Sequence, residues 1–543
     1  MAQIQIFEQK DFTGGLNLRS DQFQLADNES PEMLNVEVDP RGGVFSRGGM
    51  SRIHSVNVSG TWSPQKLTPF YGATNKLMLA NSNGVFQWNQ ASNTFTNLAY
   101  SLGNNIVTSG THGACFASWG ETLYIVTGAN GAGTNTYKWT TSATYATSLA
   151  GITTNADWLS GTPHFMRAEH VIVHANKMFA ADVHTEGVRH QNRIHWSQES
   201  DPEKWDKNDY FEINGGGNGI TGMIVVNGAL VVFKPYAVYV VYGYDSTDFR
   251  LVEVSGSIGC SSHHAMIQTE TGVYFFATHK GLHFFDGANI TDLFAPMRPM
   301  FDLGYINSAS AESISVSWVG RRVWTSLPYS TTGSGATSPT INLVFDPSMR
   351  SYTMFKTYDG YGVKGGTDFR DNDGTEYRMM CHPVVPCVLN VDQYDHPYDE
   401  IDVDGSKDGF ATVYRTKWFD AGTFMQRKMF RRPDLVMRET ETVQDVTVDV
   451  YHDYQEADGS EARTFVLSQT STAGGMVWDD DDWSAVDDDT YGVWAGDVLG
   501  GSIQTAKNLG LCKTVQLRFT GTLKKPWGIN SIGYKWQSRR VKG

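Results

Sequence analysis

The feature that most constrains this fold is a hairpin that the chain repeats six times. Its clearest copy is "GVYFFATHKGLHFFDGANITDLF" (272–294), two apolar strands around a tight turn, with the second strand ending on an aromatic residue. The other copies begin at Lys76, Thr122, His170, Ala229 and Arg321, and the six terminal aromatics are Trp88, Trp139, Trp196, Tyr242, Phe285 and Phe345. Repeats of about 40 to 60 residues with several strands each are typical of β-propeller blades, which bury their faces against one another.

We therefore predict an all-β protein whose centre is a β-propeller of about six blades, with five or seven also compatible with the loose period. The competing interpretation is an irregular array of β-sandwiches. In the predicted organisation, 1–65 is an extended arm and assembly segment, 66–365 is the propeller and 366–543 is a β-rich domain. The last zone alternates apolar and polar residues at 410–419, 443–454, 514–521 and 529–536, which predicts a β-sandwich-like domain.

Composition excludes several classes of function. The net charge of −15 argues against general nucleic-acid binding, because neutralising phosphate requires Lys and Arg. Five scattered cysteines without a CxxC motif predict buried, reduced thiols, and we expect no metal and no cofactor. The beginning of the sequence has no signal-peptide pattern, and Lys234 and Pro235 interrupt the longest apolar run, so we expect no membrane anchor.

Catalytic motifs are missing from the sequence. It contains no G-x-S-x-G, no HExxH and no Walker motif, which predicts a protein that is not an enzyme. The enzymatic or ligand-binding alternative is a propeller that binds or cleaves glycans with paired carboxylates and Arg or Tyr at the channel mouth. The repeated Asp-box of sialidases does not occur, since "SQESDPEKW" (197–205) has its Asp and Trp at the wrong offsets.

The N-terminal stretch "FTGGLNLRSDQFQLADNESPEMLNVEVDPRGGVFSRGG" (12–49) resembles the start of bacteriophage tail nozzle proteins, also called tail tubular protein B, and the hexameric tail accessory factors of short-tailed phages. "NRIHWSQESDPEKW" (192–205), "GVYFFATHKGLHFFDG" (272–287) and "RTKWFDAGTFMQRKMFRRPDLVM" (415–437) extend the likeness over roughly residues 11 to 455.

This resemblance implies a structural protein of the virion, made in the host cytoplasm and assembled as a hexameric ring in the phage tail. The ring would attach to a tail adaptor or tail-tube ring protein and support tail fibres or a tip protein. It would retain the packaged double-stranded DNA and let it pass at infection without sequence-specific binding.

Three groups of residues are candidates for these roles. The assembly arm, in which glycines let the chain turn against a neighbouring subunit, comprises Gly14, Gly15, Asn35, Arg41, Gly42, Gly43, Arg47 and Gly48. The second group is a basic run that we interpret as a ring contact to acidic residues of another subunit or ring, with contact to DNA phosphate as the alternative; it comprises Arg427, Lys428, Arg431 and Arg432. An acidic patch comprises Asp479, Asp480, Asp481, Asp482, Asp487, Asp488 and Asp489. Three interpretations are open for it: it faces the lumen, where like charge repels phosphate, it binds a divalent cation, or it forms a solvated loop.

Overall fold

The computed structural model describes residues 3–538 apart from 23, 109–112, 129–135, 159–162, 218, 246, 333–334, 395, 439–443, 456–460 and 470–507. Strands make up 53% and helices 4% of it. Seven sheets follow one another, each built on four antiparallel strands, and two of them add a fifth strand in parallel; we number them blades 1 to 7. In each of blades 1 to 6 the strands pair in chain order, so the prediction of an all-β propeller is confirmed.

The strand bounds of the blades are as follows. Blade 1 consists of Pro64–Tyr71, Asn75–Asn81, Gly84–Asn89 and Thr94–Asn97. Blade 2 consists of Cys115–Trp119, Thr122–Val126, Thr136–Trp139 and Thr147–Gly151, with His164–Phe165 added in parallel. Blade 3 consists of Arg167–His174, Lys177–Thr185, Val188–Gln198 and Asp201–Glu212. Blade 4 consists of Gly222–Val226, Ala229–Phe233, Val238–Tyr242 and Arg250–Ser255. Blade 5 consists of Met266–Thr269, Gly272–Ala277, Gly281–Phe285 and Ile290–Asp292. Blade 6 consists of Ser315–Val319, Arg322–Leu327, Ile341–Asp346 and Ser351–Phe355.

Buried side chains lie between every pair of neighbouring blades and close the ring. Separate cores join blades 1 and 2, 2 and 3, 3 and 4, 6 and 7, and 7 and 1, while blades 4, 5 and 6 share a larger core. The core between blades 7 and 1, for example, packs Leu77 and Trp88 against Phe369 and Met379. Because no single blade can bury both of its faces, this packing supplies the hydrophobic stabilisation of the ring.

In each of the first six blades the recurring aromatic residue lies on the third strand, where the strand nearest the axis is the first. Trp88, Trp139, Trp196, Phe285 and Phe345 are each buried in a core between blades, as the repeat predicts. The sixth, Tyr242, is 44% exposed. It is the last residue of its strand, and its neighbour Val241 fills the core instead.

The seventh blade combines distant parts of the chain. It consists of Lys364–Arg370, Glu376–Cys381, Val388–Gln393 and the N-terminal strand Gly49–Arg52, with Asp399–Glu400 in parallel beyond it. The ring therefore has seven blades, the upper end of the expected range. The predicted domain boundary at residue 365 falls inside the first strand of this blade.

Two further sheets form the predicted C-terminal β-sandwich-like domain. One contains Gly510–Cys512, Lys428–Phe430, Gly528–Ser538, Val44–Ser46 and Val36–Val38, with Gln5–Gln9 and Asp434–Met437 also paired to the long strand 528–538. The other contains Glu32–Leu34, Val413–Arg415, Val515–Gly521, Gln444–His452 and Arg463–Gln469. N-terminal strands thus complete both sheets of the domain.

The sandwich and the propeller share one hydrophobic core. The predicted alternation is present at Val446, Val448 and Val450, which are fully buried. They belong to the same core as Phe275 of blade 5 and Phe345 of blade 6. The two architectural units are therefore packed directly on each other.

The remaining elements are short. They are the strand pairs Gly15–Leu16 with Glu29–Ser30 and Ala99–Ser101 with Asn104–Asn105, the α-helix Pro299–Asp302, and the 3-10 helices Asn155–Asp157, His263–Ala265, Ala295–Met297 and Ser308–Ser313.

Candidate functional site

The axis of the propeller is occupied by side chains, which we call the axis cluster (Cys115, His170 and His263). Cys115 begins the inner strand of blade 2, and His263 lies in the connection that enters blade 5. The Cys115 Sγ and His263 Nε2 atoms are 3.4 Å apart, and the His263 ring centre is 4.9 Å from that of His170 in blade 3. Since blades 2 and 5 are not neighbours, these side chains meet across the centre of the ring. A DNA duplex cannot pass at this level.

The axis cluster does not have the electrostatics of a thiolate site. Burial raises the pKa of the Cys115 thiol, which donates a hydrogen bond to the Val171 carbonyl oxygen (3.5 Å). A nucleophilic cysteine requires the opposite shift of its pKa. Among the described residues, no three His, Cys, Asp or Glu side chains are grouped so that they could hold a metal ion.

Two predicted residues of the assembly arm meet in a buried joint between the propeller and the sandwich. The Arg47 guanidinium donates to both carboxylate oxygens of Asp399 (3.0 and 2.8 Å), and its Nε donates to Asn35 Oδ1 (3.0 Å). Both charged side chains are at most 1% exposed, and the guanidinium stacks 3.7 Å from the Phe410 ring centre. Asn35, with φ +53°, also accepts from the Lys356 amide (2.7 Å). These groups contact their own chain.

The arm glycines are likewise close to other parts of the same chain. A Cβ at Gly15 would lie 2.8 Å from the Tyr352 carbonyl oxygen in blade 6, and one at Gly48 would lie 2.9 Å from the Asp392 backbone in blade 7. Gly14, Gly42 and Gly43 have equally close neighbours within the chain. Arg41 differs, because its side chain is 77% exposed and pairs with Asp39.

The predicted ring contact divides into one buried and three exposed side chains. The Lys428 ammonium is buried and donates to the carbonyl oxygens of Asp420, Thr423 and Lys513, so it ties a loop to the sandwich. Arg427, Arg431 and Arg432 are exposed. The acidic patch, Asp479 to Asp482 and Asp487 to Asp489, lies outside the described residues.

A cleft of about 540 Å³, which sequence reasoning missed, lies where blades 6, 7 and 1 meet. Its charged lining residues are Arg321, Asp368, Arg370, Glu376, Arg378 and Asp392. Most of them alternate along one hairpin of blade 7, "TDFRDNDGTEYRM" (367–379). This alternation of charged residues is the signal in the sequence that could have indicated the cleft. Tyr71 and Arg321 also line the cleft, but they belong to blades 1 and 6, so no pattern within the hairpin includes them.

The geometry of the cleft is fixed by contacts behind its surface. The Gly320 amide donates a hydrogen bond that both oxygens of the Asp368 carboxylate share (3.1 and 3.2 Å). Burial raises the pKa of this carboxyl group. The Asp392 carboxylate pairs with Arg322 (2.6 Å) and Arg378 (3.2 Å). The walls are therefore preorganised.

No family model matches the sequence, and neither does any curated protein. Solved structures give weak likenesses. One is the extracellular domain of a hybrid two-component system from B. thetaiotaomicron (9% identity, 63% of this chain and 39% of that one, TM-score 0.37). Another is a fungal alcohol oxidase of the AA5 family with copper (9%, 75% and 86%, 0.36), and a third is virginiamycin B lyase from Staphylococcus aureus (10%, 62% and 97%, 0.38).

This chain therefore spans about two-fifths of the first of those structures. These likenesses concern the β-propeller-like fold alone. In the part of the chain that the structure describes, no helix has the length and apolar character needed to cross a membrane.

Proposed function

We propose that this protein is a non-enzymatic structural component of a phage tail nozzle, which forms a ring around the DNA channel, retains the packaged genome and lets it leave at infection. The observation that carries the proposal concerns the N-terminal segment whose sequence resembles nozzle proteins. This segment supplies strands to both sheets of the sandwich, closes blade 7 with Gly49–Arg52 and holds the two units together through Arg47 and Asp399. A ring that retains compressed DNA needs stiff subunits of this kind.

The proposed channel lies between copies of the chain. The axis cluster fills the propeller's own centre, so a passage for DNA requires several subunits arranged around a common axis. The net charge of −15 suits such a passage, because a surface of the same sign as phosphate does not hold the passing duplex.

The test is the oligomeric state by mass photometry, for the protein alone and after mixing with candidate tail-ring proteins of short-tailed phages. We expect a six-fold assembly on the partner ring. A charge-reversed variant, with Arg427, Arg431 and Arg432 changed to Glu, should fail to assemble. The matched control is Arg250→Glu, an exposed arginine on blade 4. A chain that stays monomeric with every tail-ring protein would contradict the proposal.

A further inference from the structure

We propose that the cleft between blades 6, 7 and 1 binds an acidic saccharide, a sugar unit that carries a carboxylate. This assignment is independent of the nozzle proposal, since it concerns one face of a single propeller. The volume of about 540 Å³ is within the range of pockets that enclose small ligands.

Two arginines are available for the carboxylate. The Arg321 and Arg370 side chains are exposed, and within the described part of the chain neither guanidinium has a hydrogen bond or an ion pair. The neighbouring Arg378, in contrast, is paired with Asp392. A free guanidinium presents a planar donor fork that matches a carboxylate, so these two side chains are the anion-binding groups of the cleft.

An aromatic platform is available for the sugar ring. Tyr71 is 54% exposed and stacks on Phe369 with a ring-centre distance of 6.2 Å and an angle of 8°. The backing ring holds Tyr71 flat, and its open face offers apolar contact to the C–H side of a pyranose. Asn390 and Gln393 on the wall supply amide groups for hydroxyls.

The carboxylates of the cleft distinguish a saccharide from a polyanion. Three arginines (Arg321, Arg370 and Arg378) and three acidic residues (Asp368, Glu376 and Asp392) line it, so its formal charge is zero. Nucleic acid or a polyacidic peptide carries a charge on nearly every unit and would meet these carboxylates unfavourably. A sugar with one carboxylate and several hydroxyls uses both sets, because carboxylates accept hydrogen bonds from hydroxyl groups.

The experiment is isothermal titration calorimetry of the full chain with two sugars that carry a single carboxylate, sialyllactose and a galactotetraose with one terminal galacturonate unit, and with neutral galactotetraose and a poly-glutamate peptide. We expect at least one acidic sugar to bind tenfold or more tightly than galactotetraose. Arg321→Asn and Arg370→Gln should each weaken that binding by about tenfold or more, as expected for a lost charge-assisted hydrogen bond. Tyr71→Ala should weaken the binding of acidic and neutral sugars alike.

Matched controls are Arg250→Gln and Tyr244→Ala, which change an exposed arginine and an exposed tyrosine on blade 4 and should leave binding unchanged. The variants of the exposed arginines and of Tyr244 should keep the wild-type unfolding temperature. Tyr71→Ala removes the stacking on Phe369, so a small fall is expected there, and its folded state at the titration temperature is checked by the same measurement. Binding of neither acidic sugar, equal binding of galactotetraose, or tighter binding of poly-glutamate would each overturn the assignment. None of these results affects the oligomeric state, on which the nozzle proposal is tested.

Discussion

At the scale of single residues, the most consequential contact is the ion pair between Arg47 and Asp399. Moving two charges out of water costs several kcal/mol per ion, and close pairing with further hydrogen bonds offsets this cost. Arg47 has such bonds to Asn35 and to the carbonyl oxygens of Gly48 and Lys356. The pair is therefore far more costly to break on one side than an exposed pair would be.

Changing Asp399 to Asn should lower the free energy of unfolding by about 3 to 5 kcal/mol, because it leaves the Arg47 charge buried without a counter-charge. Urea unfolding followed by tryptophan fluorescence measures this loss. The control from the same segment is Arg41→Ala, which removes an exposed pair and should leave the midpoint unchanged. If Asp399→Asn unfolds at the wild-type urea concentration, the joint is not an energetic link between the two units.

At the scale of elements, the repeated hairpin is the unit of the ring, and its turn is as constrained as its aromatic residue. In blade 5 the turn ends on Gly281 with φ +85°. A Cβ there would lie 2.1 Å from the Phe294 ring, so the glycine is required both by its backbone conformation and by close packing.

Gly281→Ala and Gly103→Ala separate these two requirements. Gly103 has φ +78°, but a Cβ there would meet nothing within 4 Å. Gly103→Ala should therefore cost about 1 kcal/mol from the left-handed backbone alone. Gly281→Ala should cost a further amount of about 1 to 3 kcal/mol from overpacking against Phe294. Thermal unfolding compares the two variants, and equal losses would show that the Phe294 side chain moves away freely.

The six hairpins were predictable from the sequence because alternation and turn residues are local signals. Blade 7 was not, since its fourth strand, Gly49–Arg52, pairs with Val388–Gln393, and no local pattern reports pairing across so many residues. The contacts of Gly15, Asn35 and Arg47 with distant parts of their own chain also escaped prediction, and the contact of the N-terminal arm with a neighbouring subunit stays a prediction. The cleft also escaped prediction, because Tyr71, Arg321 and Asp368 come from three blades and meet only in the closed ring.

At the scale of the whole molecule, buried histidines make the fold sensitive to mild acid. Burial lowers the pKa of His54 from 6.5 to about 4, and that of His195 to about 3. The His54 Nε2 accepts from the Val388 amide (2.9 Å), a bond that requires an unprotonated nitrogen. Below pH 6.5 the unfolded chain binds protons at these residues and the folded chain does not. Stability is therefore fully present above pH 6.5 and is lost as the pH falls.

Each of these two histidines should cost about 2 kcal/mol of stability between pH 6.5 and pH 5. We expect the urea midpoint to fall as the pH is lowered over this range. His54→Gln should remove about half of the fall that His54 and His195 together cause. The exposed His279→Gln is the control and should keep the wild-type slope. Burial raises the pKa of Glu37, so this carboxyl group adds stability as the pH falls and opposes the effect of the histidines. Glu37 is present in the wild type and in both variants, so its contribution cancels when they are compared. An identical pH dependence in His54→Gln and the wild type would contradict the prediction.

The closure of blade 7 by the strand Gly49–Arg52 also sets the order of events during synthesis. The ribosome makes this strand early, but its partner Val388–Gln393 emerges about 340 residues later. At about 5 to 20 residues per second, the first strand waits roughly 20 to 70 s for its place in the ring. Throughout that interval its backbone donors and acceptors are open to pairing with other chains. The propeller thus becomes a closed body only when more than two-thirds of the polypeptide has been translated.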